Sequence, residues 1–136
     1  MAFVMMALFV VSCSSDSDGD GTGGGSSTDV IVGNWKYVGD IDEDGYEAAE
    51  NEPCDDEFLK FSSNGTVKVT FKYCGEPTEV YTYGWEKATE ANHYIIDNNE
   101  GSTEDVKITF SDDKKEMTLY EYEDESGFYG VVYKRQ

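Results

Sequence analysis

The stretch Phe58-Leu59-Lys60-Phe61-Ser62-Ser63-Asn64-Gly65-Thr66-Val67-Lys68-Val69 decides how this chain folds. Two runs that alternate apolar and polar residues flank a Ser-Asn-Gly segment, the pattern of a β-hairpin. A two-residue Asn-Gly turn would set Phe61 opposite Lys68, apolar against charged. A three-residue loop sets Phe61 opposite Val67 and Leu59 opposite Val69, with Gly65 as the left-handed residue that closes a type I turn. Only the second register keeps one face apolar, since a slip of one residue turns that face outward. The three-residue loop is therefore expected.

The same period of two recurs along the chain. Val67, Val69, Phe71 and Tyr73 alternate with Thr66, Lys68, Thr70 and Lys72. Tyr81, Tyr83 and Trp85 form a second such set, and Val106, Ile108 and Phe110 a third. Met117 with Leu119, and Tyr129 with Val131 and Tyr133, complete it. Trp35–Val38, Phe58–Ser62 and His93–Asp97 bring the expected total to about eight strands. Glycine, asparagine and aspartate punctuate between them. Half-buried, regularly spaced strands with no strong helical pattern predict an all-β antiparallel barrel or sandwich.

Upstream, the apolar run Met1–Val11 is too short to span a membrane as a helix but fits a signal-peptide core. Val10-Val11-Ser12-Cys13 resembles the lipobox of bacterial lipoproteins, with an aliphatic residue three places before the cysteine and a small one just before it. The resemblance implies cleavage after residue 12 and lipid on Cys13. One departure is that the first basic residue is Lys36, where signal peptides begin with Lys or Arg. Residues 13–28 then read as the lipidated cysteine and a tether. Ser14–Ser27 is serine, glycine, threonine and aspartate, which bury no apolar surface. As a coil this segment reaches roughly 20 Å. Asp16, Asp18 and Asp20 resemble the acidic export tags of some surface-displayed lipoproteins.

With Cys13 assigned to lipid, Cys54 and Cys74 remain. The hairpin register, continued outward, sets them opposite each other, and an extracytoplasmic compartment favours a disulfide there. A metal or catalytic thiol site is the alternative, with His93 the one histidine able to join it.

Residues 29–136 are read as one domain. Removing Asp16, Asp18 and Asp20 from the chain's 29 acids leaves 26 against 10 bases, a net charge of −16. Such a balance is expected to repel nucleic acid and anionic lipid headgroups, so no nucleic-acid partner is expected.

Gly33-Asn34-Trp35 at the start of the first strand resembles the G-x-W signature of lipocalins. With "FLKFSSNGTVKV" and the closing "VVYKR" it is similar to the lipocalin-like domains of bacterial lipoproteins. The resemblance implies an up-and-down β-barrel of about eight strands. It also implies that Trp35 closes the barrel floor and that Arg135 or Lys134 covers its indole through a cation–π contact. The domain is short for a lipocalin, and no helix pattern follows the last strand. A barrel of this size either fills its interior or holds one small molecule. Leu59, Phe61, Val67, Val69, Phe71, Tyr81, Tyr83 and Trp85 are the candidates for its lining.

Asp40, Asp42, Asp44 and Gly45 match the first half of a calcium-binding EF-hand loop, but the twelfth position is Asn51 in place of glutamate. A solvated acidic loop between the first two strands is the main expectation for this segment. No hydrolase, metalloprotease or phosphate-loop motif is present, and neither an enzyme nor a cofactor is expected. His93 beside Tyr94-Ile95-Ile96 reads as a structural strand residue. Tyr120 and Tyr122 are expected on the face opposite Met117 and Leu119, as an exposed aromatic patch. The functional expectation is a non-catalytic lipoprotein of the bacterial cell envelope. It is lipid-anchored to a membrane, the outer membrane first, and binds a small apolar or amphipathic ligand in its cup. The alternative is a surface interaction module with a filled barrel that holds a protein or glycan.

Overall fold

In the computed structural model the hairpin of residues 58–69 has the three-residue loop, with Phe61 paired to Val67 and Leu59 to Val69. Gly65 closes the turn at φ 84°, and its N–H donates to the Ser62 carbonyl at 3.1 Å. A side chain at that φ would be strained, which is why glycine stands there. The structure describes residues 29–50 and 52–136. The signal peptide and tether read over residues 1–28, Cys13 among them, lie outside the described residues.

Nine strands and no helix make up the described residues. They are β1 (Gly33–Asp42), β2 (Gly45–Ala48), β3 (Asp56–Ser62), β4 (Thr66–Lys72) and β5 (Glu79–Lys87), followed by β6 (His93–Asp97), β7 (Thr103–Phe110), β8 (Glu116–Asp124) and β9 (Gly127–Arg135). Every pairing is antiparallel, and β1 pairs with β9 to close an eight-stranded up-and-down barrel. All eight strands expected from the sequence are present. The ninth, β2, corrects the expectation of an acidic loop. Asp42 pairs with Gly45 across Glu43-Asp44, so the segment folds back on β1 as a tight hairpin. Its Gly-Tyr-Glu-Ala residues are all exposed and carry no alternation that would have marked a strand.

Cross-strand partners share a face, and the registers therefore place rows of side chains inside. Trp35, Leu59, Val69 and Tyr81 form one row; Phe61, Val67 and Tyr83 form the next. The end of the barrel holding Trp35, Phe61, Trp85, Tyr94 and Phe110 is solidly packed. Trp35 and Ile108 are fully buried, and Trp85 lies between Phe61 (5.8 Å) and Tyr94 (6.1 Å). Each large apolar side chain buried this way contributes about 1.5–3 kcal/mol.

Residues 29–32 plug this closed end. Asp29 accepts hydrogen bonds from the Ile31 N–H (3.1 Å) and the Tyr94 hydroxyl (2.8 Å), and it ion-pairs with Lys87 at 3.0 Å. Burial raises the Asp29 pKa, but these three partners outweigh it and hold the carboxyl below its ordinary value. Ile31 is fully buried as a result.

The opposite end stays open. The β5–β6 ladder begins only at Gly84, so Glu79–Tyr83 extends beyond its neighbour. A bulge between Tyr120 and Tyr122 overturns the expected aromatic patch on β8. Leu119 pairs with Val131 and Tyr122 with Tyr129, which puts Tyr122 on the Leu119 face. Tyr120 is left on the other face, packed against Phe128 at 5.9 Å.

Candidate functional site: the open end of the barrel

Sequence alternation brings Glu57 to the site. It stands two residues before Leu59 and four before Phe61 on β3, and so shares their inward face. Its cross-strand partner is Phe71 on β4. The Tyr133 hydroxyl of β9 donates to the Glu57 carboxylate at 2.6 Å. Beside it the Tyr37 hydroxyl of β1 donates to Asp40 at 3.0 Å, and the Tyr37 and Tyr133 rings meet edge to face at 6.1 Å.

The electrostatics follow from this crowding. Burial raises the Glu57 pKa, and the charges of Asp40 and Glu121 push it the same way, against the Tyr133 hydrogen bond. Burial also raises the hydroxyls of Tyr37, Tyr129 and Tyr133, with Asp40 adding to the first two and Glu57 to the third. A half-buried carboxyl among aromatic rings, with two further acids near it, favours a cation or a hydrogen-bond donor and repels an anion.

Aromatic rings continue from Phe71 along the rim. Phe71 stacks on Tyr73 and meets Tyr81 edge-on, both at 6.1 Å, and Tyr81 stacks on Tyr83 at 6.5 Å. Tyr73 and Tyr81 are 48% and 45% exposed, which leaves their faces open to a ligand. The Cys54–Cys74 disulfide, with Cα atoms 5.2 Å apart, ties together the chain segments preceding β3 and following β4 at this end. The Cys74 N–H donates to Asp55 at 2.8 Å.

The candidate lining residues divide between the two ends. Leu59, Phe61 and Val67 are buried, and Val69, Tyr83 and Trp85 pack against them partly buried. Phe71 is half-buried and Tyr81 exposed at the rim. At the closed end the Arg135 guanidinium lies over the Trp35 ring, while Lys134 pairs with Lys36 and reaches Glu116 at 3.4 Å. The hairpin spreads the calcium candidates along the chain. Asp40 and Asp42 are in β1, and Asp44 is in the turn, where its N–H donates to Asp42 at 2.8 Å. His93 is bonded to Asp105 at 2.6 Å, away from the open end.

Tyr37, Glu57, Tyr129 and Tyr133 were not among the sequence candidates. An acid on the apolar period of β3 was the available signal for Glu57. No protein-family model matches the chain, and no curated protein matches it.

Proposed function

We propose that this chain is a lipocalin-like lipoprotein of the bacterial cell envelope, anchored through Cys13 to the outer membrane. Its barrel mouth binds a small amphipathic molecule without catalysis. The observation that carries the reading is the pairing of Glu57 with Phe71 at the open end, a polar anchor against the start of an aromatic ladder. The apolar part of the ligand lies on Phe71, Tyr81 and Tyr83. Its head, a cation or a hydrogen-bond donor, meets Glu57 and Asp40. Fatty acids fit this lining poorly because their carboxylate faces three acids.

Calorimetric titration with octylamine, octanol and octanoate tests the head-group preference at constant chain length. The amine should bind best and the carboxylate worst. Tyr81→Ala should weaken binding severalfold with little loss of stability, and Tyr83→Ala should weaken binding at a cost in stability, because its ring also packs against the core. Trp85→Ala, in the packed end, should cost about 3–5 kcal/mol of stability. Failure of all three compounds to bind the folded protein would remove the ligand reading. The anchor is tested separately: wild type from its host should carry acyl mass on Cys13, and Cys13→Ala should move to the soluble fraction.

A second reading is supported by the exposure of Tyr46 (52%), which pairs with Ile41 on the outward side of the sheet. An exposed tyrosine suits a protein or glycan partner held on the outside of a filled barrel.

A further inference from the structure

We infer that the outer wall formed by β9, β1, β3 and β4 is a basic surface that lies on anionic lipid headgroups. Lys134 pairs with Lys36, which pairs with Phe58; Asn34 pairs with Lys60, which pairs with Lys68; Lys72 pairs with Asp56. These rows alternate with Trp35, Leu59 and Val69, so they face outward. The wall thus carries five of the ten bases in the chain. Its acid is Asp56, which ion-pairs with Lys36 at 2.5 Å, and Glu116 of the neighbouring β8 reaches Lys134 at 3.4 Å.

Lys60, Lys68 and Lys72 form no ion pair among the described residues. Like charges directly opposite in a sheet are destabilising, and Lys60 faces Lys68 with no acid beside them in their row. Half-buried Phe58 sits at the centre, with the Lys36 and Lys72 ammonium groups 5.7 and 5.2 Å from its ring. A basic wall with an aromatic centre is chemistry suited to a headgroup layer.

The net charge of the domain argues against such a surface only if charge is averaged over the whole molecule. Screening removes interactions beyond about 8 Å in physiological salt. The sign of the apposed face therefore decides, and among the described residues Asp56 is the one acid in the outward rows of β9, β1, β3 and β4. A bilayer is the favoured occupant because anionic headgroups complement the charge of the wall, and this choice rests on the lipid-anchor reading. The described chain begins in the closed-end plug, with Asp29 beside Lys87 and Tyr94, and passes from there into β1, a strand of the wall. The competing occupant is the acidic mouth of a second copy.

The test uses the full chain carrying Cys13→Ala, so that no acyl chain contributes, sedimented with phosphatidylcholine vesicles with and without phosphatidylglycerol. Binding should rise with the phosphatidylglycerol fraction and fall at high salt. Each lysine near an anionic surface is worth about fivefold in affinity, so Lys60→Gln with Lys68→Gln should weaken binding about 25-fold. Lys114→Gln with Lys115→Gln, in the β7–β8 loop, should change it less than twofold. Equal binding to neutral vesicles, or an equal loss in the Lys114/Lys115 variant, overturns the inference. So does self-association without vesicles that the Lys60/Lys68 variant abolishes. Acyl mass on Cys13 of the host protein is read independently, so failure of the anchor is distinguishable from failure of the wall.

Discussion

The Arg135 guanidinium lies 4.2 Å from the centroid of the Trp35 ring. Two of its nitrogens donate to the Val32 carbonyl (3.0 Å) and the Val30 carbonyl (2.6 Å), and Nε donates to the Lys114 carbonyl at 3.0 Å. The indole N–H of Trp35 donates to the Ile31 carbonyl at 2.8 Å. One arginine from the last strand thus clamps the segment that leads into the first, over the ring that fills the floor. β9 and β1 are joined by backbone pairing, and this contact seals the end at which they meet.

Arg135→Ala should therefore destabilise the barrel by about 2–3 kcal/mol, from a cation–π contact of about 1 kcal/mol and the lost donors to the plug. Arg135→Lys should recover little, because an ammonium cannot serve three carbonyls and cover a ring at once. Urea midpoints of the two variants check this. A midpoint for Arg135→Lys equal to wild type would show that charge alone matters.

Breaking the disulfide should cost about 3 kcal/mol in the chain-entropy account, given the 20-residue separation of Cys54 and Cys74. The Cys54→Ser/Cys74→Ser protein should fold with its closed end intact, since both cysteines lie at the other end. Hydrogen exchange should then rise in Asp55–Glu57 and Phe71–Tyr73 while Trp35 and Ile108 amides stay protected. A uniform rise across both ends would contradict this partition.

Glu57 gives stability an unusual pH dependence. Its folded-state pKa is raised by burial above the ordinary value of 4.5. The neutral form is thus favoured by folding. That contribution is fully present below the ordinary value and is lost as pH rises through the raised one. Stability should fall over this interval, and Glu57→Gln should abolish the fall. The variant should match wild type in acid and exceed it at pH 7. Asp29 supplies the opposite limb. Its pKa lies below the ordinary 3.8, so its contribution is lost as pH falls through the lowered value, and Asp29→Asn should flatten that limb. Thermal midpoints across pH for the two variants read both effects. A Glu57→Gln curve parallel to wild type would remove the first.

The sequence by itself determined the local architecture. Alternation marked eight strands, and the Ser-Asn-Gly turn fixed the β3–β4 register because a one-residue slip would expose its apolar face. That register carried outward to Cys54 and Cys74, which are bonded. Only the tertiary structure decided the rest. Glu57 and Tyr133 are 76 residues apart and meet because β1 bridges β3 and β9 when the barrel closes. The offset between strands sets which rows coincide there, and pattern within one strand does not encode that offset. A single bulge at Tyr120–Tyr122 moved a tyrosine from one face to the other, beyond the reach of a strict period of two. The lysine wall has the same origin, since Lys36, Lys60, Lys68, Lys72 and Lys134 are scattered over four strands and become neighbours only through pairing.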